Sequence, residues 1–510
     1  MVGLGDGRRP RSRLALGRGP RGVAPHVQGG PPDIHALHVL VLPAPDRDDR
    51  RTLKESRDTV RIVYPPGPRG LPLVGNLHQI RKDKIAFMLE TASHGDIAHF
   101  RLGPTDAYLV NHPDHIRDVL IERSDVLPKD WLQRKIVSPF FGNGMLITNG
   151  EEHARQRRMA QPAFHPKRLD SYGRVFVEQT LHGIAGWRSG GEYEIDTEML
   201  KMTIQNVCLT LFNADATDIV ARAAVAMTTI MDLLSMEFDL ALPIPMWLPT
   251  EHNRRKREAI RELDSIVMKF AEAWRKSGQD RGDLLSMLML AHGEGRGGVT
   301  HDELRDHLIV MFAAGHETTA FTLVWAWVMI SQHPEVEAAL WEEVDRVLGG
   351  RPPTAEDVPQ LVYTSMVVKE TLRLYPAGWI LSLRQPGEDI RLGGYTIPKG
   401  SRIFISPYVT HRDPRYFSEP ERFRPERFRP GLDQNIRRGS YIPFGIGPRV
   451  CIGNGFAMME AVLILATVAQ RYRVSLLPGQ TLVPRGNLAL RPPPGVKVRV
   501  TERLRSAAAA

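Results

Sequence analysis

Phe444-Gly445-Ile446-Gly447-Pro448-Arg449-Val450-Cys451-Ile452-Gly453 places one thiolate-capable sulfur in a glycine-punctuated loop. An apolar helical stretch, Phe456 to Ala469, follows it. The glycines permit torsions and close approaches that a side chain would block, and Gly447 is expected to let a flat cofactor lie against the main chain. A helix N-terminus beside Cys451 supplies unpaired N–H groups and a positive dipole end. Both favour thiolate over thiol. Arg449, two residues earlier, brings a fixed positive charge to an anionic group on the same cofactor. The bland alternative is a free cysteine buried in a turn for packing alone.

An anionic sulfur with an arginine beside it suits haem iron, because thiolate donation favours O–O cleavage. The ten residues resemble, with no departure, the haem-binding signature F-x-x-G-x-R-x-C-x-G of the cytochrome P-450 family. The resemblance implies that Cys451 is the axial ligand of haem b (iron protoporphyrin IX). It also implies that Phe444, Gly447 and Arg449 belong to the cofactor site.

The 510 residues are 42% hydrophobic and 25% charged, an ordinary globular composition whose core can enclose a haem. Two cysteines, Cys208 and Cys451, offer no zinc framework and no iron–sulfur set. They suit a reduced, cytoplasmic setting. Cys208 lies in the apolar stripe Thr203 to Leu209 and reads as core. Residues 1–60 hold 11 Lys/Arg and 7 Asp/Glu, so they contribute four of the nine net positive charges. What remains is modest and argues against nucleic-acid binding. A local basic face for an acidic protein partner stays compatible with it.

Residues 1–60 differ from the rest. Met1 to Gly30 is rich in Gly, Pro and Arg, and Asp6 is its only acid. Disorder, an Arg-rich targeting peptide and an over-extended start are all consistent with it. The apolar run Ile34 to Ala44 is too short to span a bilayer, which takes about 20 residues. No other segment reads as a span, so no transmembrane segment and a soluble protein are expected. Residues 61–503 read as one domain without linker or repeat, and residues 504–510 as a tail. Most of that domain reads as helix. Thr300-x-x-Glu303 is a capping box opening a helix that runs to Gln332, before His333-Pro334. Further helices are expected over Pro334–Leu348 and about Val362–Leu374. Strands are expected at Ile97–Arg101, Ala107–Val110, Arg402–Ser406 and Gly495–Val500, with a hairpin turn at Gly393-Gly394.

The long helix contains Ala313-Ala314-Gly315-His316-Glu317-Thr318-Thr319. Its small residues let a ligand approach the backbone, and an acid and a hydroxyl then follow. Activating dioxygen on iron takes two protons, and a carboxylate plus a hydroxyl form a relay for them. A Ser/Thr kink where helices cross closely is the competing reading. The segment resembles the family motif A-G-x-[DE]-T-[TS]. By that match Thr318 is the hydroxyl, Glu317 the acid, and Ala314-Gly315 the oxygen-side groove. His316 falls at the variable position and receives no ligand role.

Glu370 and Arg373 stand at i, i+3 on one helical face. They resemble the E-x-x-R motif, and Phe423 to Phe428 resembles F-x-P-x-R-F, which nominates Arg427 as the third member. The trio is assigned to holding the fold around the cysteine loop. The competing reading is a surface ion pair. His153 and Arg157 share a face at i, i+4 and are expected to grip a haem propionate. Many family members carry Trp at the position of His153. Arg384 matches the family's strand arginine for the other propionate, where Arg449 should join it. By the same resemblance the substrate contacts come from Val126 to Phe141, the helix near Val310 and Ala314, and Ala377 to Leu383. Trp131, Leu132, Phe140, Phe141, Trp379, Ile380 and Leu381 make that lining apolar, so a hydrophobic substrate follows. The alternative is that several of these aromatics are core.

The likeness covers about residues 61–503. It implies a mainly α protein with a smaller β-rich part, a triangular helical domain enclosing haem. The implied activity is a monooxygenase inserting one atom of dioxygen into a hydrophobic small molecule such as a terpenoid, fatty acid or polyketide-like compound. The chain carries no flavin, nicotinamide or iron–sulfur motif, so electrons come from separate proteins, a ferredoxin and its reductase. The protein is expected to be a monomer. The rivals are a peroxygenase, isomerase or dehydratase of the same fold, and a non-catalytic haem-binding sensor.

Overall fold

A computed structural model describes residues 63–503, apart from 216, 294–298 and 382. The expectations for residues 1–60 and 504–510 lie outside the described residues. The helices that frame the site are α1 (Lys84–Ala92), α2 (Trp131–Phe141), α3 (Gly150–Ala160), α4 (Ile195–Leu211) and α5 (Val220–Leu240). After them come α6 (His301–Gln332), α7 (Pro334–Leu348), α8 (Val362–Leu374) and α9 (Asn454–Ala469). The strands are short: β1 (Ile97–Leu102), β2 (Thr105–Val110), β3 (Glu192–Glu194), β4 (Ile390–Leu392), β5 (Tyr395–Ile397) and β6 (Arg402–Phe404). Then follow β7 (Tyr472–Leu476), β8 (Arg485–Gly486), β9 (Leu490–Arg491) and β10 (Lys497–Glu502).

α6 is the axis of the fold. Thr300 caps it by accepting from the Glu303 N–H, while the Glu303 carboxylate accepts from the Thr300 N–H, so both halves of the capping box form. Its 32 residues give a rod of roughly 48 Å. It is apolar nearly all round and is buried along its length, as a helix surrounded by others must be. It packs against α4, α8 and α9. At Gly315 a Cβ would come within 2.8 Å of Val207 Cγ2, so α4 and α6 cross where a side chain is missing. Trp325 stacks on Tyr375 at 3.9 Å between centroids, joining α6 to the chain that follows α8. By length and composition α6 is also a candidate membrane span, contrary to the reading that no segment qualifies. However, 83% of its apolar window is buried within the protein, so its apolarity serves the core.

Among the described residues four small sheets lie between the helices. They have the orders β1-β2-β6, β3-β10-β7, β4-β5 and β8-β9. β1 and β2 are antiparallel with Ile97 opposite Val110, and β6 runs parallel to β2. Gly393 and Gly394, at φ +54° and +86°, make the β4–β5 hairpin turn. The expected strand ends shift by a few residues: the last strand is Lys497–Glu502 because its pairing to β7 starts at Val498 opposite Leu476.

Glu370 ties α8 to the loop that precedes the cysteine. Its carboxylate accepts from Arg373 Nε and Nη2 at 2.8 and 2.9 Å, and both residues are fully buried. Arg427 Nε and the Arg424 N–H donate to the same carboxylate at 3.3 and 2.8 Å. Arg373 spends its remaining donors on the carbonyls of His411, Pro420 and Arg422. This is a buried network and not the surface pair of the competing reading. Removing its acid leaves two cations facing each other away from water. Glu370→Ala is expected to cost roughly 3–5 kcal/mol of stability. Urea unfolding of the two proteins measures it. A loss under about 1 kcal/mol would put the trio with exposed ion pairs.

Candidate functional site

Cys451 follows the short turn Gly447–Arg449 and stands three residues before α9 opens at Asn454. Its N–H donates to the Phe444 carbonyl at 2.9 Å, closing the loop on itself. Burial pushes the Cys451 thiol up, and the Gly453 N–H and the Arg157 charge pull it back down. The sulfur lies deep among protein atoms, yet the residue is exposed, because it fronts a cavity of about 280 Å³. Ala314, Gly315 and Thr318 of α6 line that cavity together with Leu381, Phe444 and Phe456. Ala314 is exposed in the middle of a buried helix for the same reason. Thr318 Oγ1 donates to the Ala314 carbonyl at 2.9 Å, which turns its methyl and its lone pairs to the cavity side of α6.

Glu317 does not line the cavity. One residue on a helix is a turn of about 100°, so the neighbour of Thr318 faces elsewhere. Its carboxylate accepts from Arg491 Nη2 of β9, and Asp232 of α5 reaches the other guanidinium nitrogen at 3.6 Å. Burial pushes Glu317 up to about 7, against the pull of Arg491. The carboxyl therefore sits at the midpoint of its titration near neutral pH, where it can hold or release a proton. His316 is packed: it is buried, its Nδ1 lies 2.7 Å from the Phe312 carbonyl, and burial lowers it to about 4.

On the other side of the cysteine loop the structure gathers His153 and Arg157 of α3 with Arg384 and Arg449. Burial first, and then Arg449, Lys129, Arg157 and Arg384, lower His153 to about 3. Burial and Arg449 lower Arg384 to about 10, and burial and Arg157 do the same to Arg449. Lys129 belongs to this group and was not read from the sequence; burial and its arginine neighbours lower it as well. Among the described residues no carboxylate pairs with Lys129, Arg157 or Arg449. Their donors rest on carbonyl and amide oxygens: Arg157 on Val450 at 2.7 Å, Arg449 on Thr148 at 2.6 Å and Asn149 Oδ1 at 3.2 Å, Lys129 on Leu146. Buried cations without an acid favour an anion.

Gly447 serves a purpose other than the one its place in the motif suggests. It has φ +77°, and a Cβ would come 2.4 Å from the Leu120 carbonyl, so the residue is glycine to let the loop press on that segment. It is not among the residues lining the cavity. The aromatic wall is corrected too. Trp131 is half exposed, and Phe140 and Phe141 are fully buried core, because α2 turns that face to α5 and the helices beyond. Trp379, Ile380 and Leu381 do line a cavity, with Leu132.

Sequence reasoning also missed Glu460. It is fully buried on α9 and accepts from Asn206 Nδ2 of α4 at 2.8 Å. Burial pushes it up to about 8. Its partner is 254 residues away, so no local pattern announces the pair. The folded protein keeps this proton while the unfolded chain gives it up above about 4.5. Stability therefore falls as pH rises from about 4.5 to 8 and is flat beyond, by roughly 4–5 kcal/mol in all. Glu460→Gln is expected to remove that slope in urea unfolding at pH 5 and pH 8; equal slopes in both proteins would contradict it.

The family model for Cytochrome P450 matches residues 65–500. Cyclooctatin synthase from Streptomyces melanosporofaciens is 37% identical over 83% of this chain and 92% of its own. Cyclooctat-9-en-7-ol 5-monooxygenase from the same organism is 36% identical over 81% and 90%. Pentalenene oxygenase from Streptomyces avermitilis is 33% identical over 87% and 98%.

Proposed function

The chain belongs to the cytochrome P450 family of haem-thiolate monooxygenases, and from that premise we propose that it hydroxylates a cyclic terpenoid with electrons from a ferredoxin and its reductase. The single observation that carries the site is Cys451 facing Ala314, Gly315 and Thr318 across one cavity. The catalytic domain is residues 61–503, and the family match over 65–500 supports that extent. The cofactor would be haem b, held through the Cys451 sulfur, with Phe444, Ala314 and Gly315 forming the cavity that would receive it. Bound there, a haem supplies the activation of dioxygen that inserts one oxygen atom and releases the other as water. Two cysteines, one buried in the core and one at the cavity, fit a reducing cytoplasm.

Each side chain then has a task. His153, Arg157, Arg384, Arg449 and Lys129 receive the two propionates; His153 is held neutral, and burial and Arg449 hold Arg384 below the ordinary arginine range, a crowding of positive charge that an anionic group relieves. The Gly453 N–H stabilises the sulfur anion. Thr318 hydrogen-bonds at the oxygen side and holds a proton there, and Glu317 replaces it from the side of α6 that faces Arg491. The apolar lining excludes water and accepts a hydrocarbon skeleton. The terpenoid class is drawn from the three bacterial relatives, whose names describe oxidation of such compounds.

Two substitutions test this assignment. Cys451→Ser is expected to abolish the thiolate band of the reduced carbonyl complex, and an unchanged band would refute the ligand. Thr318→Ala should keep haem and substrate binding while diverting electrons to hydrogen peroxide. Coupling equal to that of the unaltered enzyme would remove Thr318 from proton delivery.

A further inference from the structure

A second cavity, of about 160 Å³, shares Leu381 with the first. Its apolar walls include Met88, Leu132, Ile136, Phe238 and Trp379. The polar groups that reach it are almost all committed to each other. Asp130 accepts from Arg402 Nε at 3.1 Å. Lys84 pairs with Asp239 at 2.7 Å and donates to Ser235 Oγ at 3.0 Å.

Two amides differ. Ser235 Oγ, with a lone pair filled by Lys84, sends its own hydrogen to Asn487 Oδ1 at 3.0 Å. Gln133 Oε1 likewise accepts from the Leu383 N–H at 3.0 Å. Both carbonyl ends are therefore taken: the Leu383 N–H, which can only donate, fixes the amide of Gln133, and the Ser235 hydroxyl hydrogen occupies Asn487 Oδ1. Among the described residues nothing accepts from Asn487 Nδ2 or Gln133 Nε2. Asn487 is also fixed in place. Its main-chain carbonyl accepts from Trp379 Nε1 at 2.6 Å, and a Cβ on the adjacent Gly486 would sit 2.7 Å from the same indole.

We propose that this chamber is a recognition subsite for an acceptor oxygen, hydroxyl or carbonyl, on an otherwise hydrocarbon substrate, bound by the free NH2 groups of Asn487 and Gln133. The inference rests on the terpenoid reading and sharpens it: the substrate already carries one oxygen. An earlier oxidation, or a cyclisation ended by water, must then supply it. A pre-oriented donor left unpaired by a pure hydrocarbon penalises that ligand, which is how a polar group discriminates in an apolar site.

The test is a spectral binding titration of the haem-loaded protein. The probes are the cedrane and kaurane skeletons, each as hydrocarbon, alcohol and ketone. Alcohol and ketone are expected to bind about five- to tenfold more tightly than the hydrocarbon, the factor of one neutral hydrogen bond. Asn487→Ala with Gln133→Ala should erase that preference and leave hydrocarbon affinity within about twofold. Asn487→Asp keeps the accepting oxygen and drops the donor, so it should weaken the ketone, which only accepts, more than the alcohol. Equal affinities across a series in the unaltered protein, or a preference surviving in the double variant, would overturn the subsite alone. No spectral shift with any probe would overturn the terpenoid reading, and the subsite with it.

Discussion

Glu370 holds the fully buried Arg373 and the partly buried Arg427 in one charged network, and that arrangement ties α8 to the chain that leads toward the cysteine loop. The guanidinium of Arg373 reaches three carbonyls of the chain between His411 and Arg422, so one buried carboxylate on α8 fixes the path of the segment leading to Phe444 and Cys451. A loop containing Gly445 and Gly447 at positive φ has little conformational preference of its own. Its geometry is imposed by what it is pressed against: the Leu120 carbonyl below Gly447, and Arg157 and Arg449 bonded across to Val450, Thr148 and Asn149.

Charge burial is resolved in three different ways within this core. Glu370 is neutralised by arginines. Glu460 has the Asn206 amide and the Thr319 hydroxyl beside it, no cation among the described residues, and is pushed up by burial. Near His153, Lys129, Arg157 and Arg449 have no acid among the described residues; burial and then Arg157 depress Arg449, and burial and then Arg449 depress Lys129. The first two states are complete in the protein alone. The third becomes favourable when an anion enters, which couples cofactor binding to the stability of the region that binds it.

What could be read from the sequence was what is local. The capping box, the helices ending at Gln332, Leu348 and Leu374, and the Gly393-Gly394 hairpin all depend on neighbours within a few residues. The cysteine loop was legible because its chemistry is compressed into ten positions. Arg491, Lys129, Glu460 and Asn487 were not, since each acquires its meaning from a partner brought close by folding. Arg491 stands 174 residues from Glu317. Helix direction escaped for a related reason. Trp131, Phe140 and Phe141 are all large and apolar, and only the packing of α2 decides that the first faces out and the others face in.

α5 links the ion pair of Glu317 to the polar groups of the second cavity. Asp232, Ser235 and Asp239 are spaced by three and four residues and so form one stripe along it. Asp232 reaches Arg491, Ser235 reaches Asn487, and Asp239 reaches Lys84. Arg491 and Asn487 in turn belong to the single β8–β9 hairpin, so one helix face and one hairpin carry both the arginine that holds Glu317 and the amide at the second cavity. Shifting α5 relative to that hairpin stretches both sets of bonds together. Arg491 opposes the burial that raises the Glu317 carboxyl, so the contact between α5 and this hairpin bears on that charge.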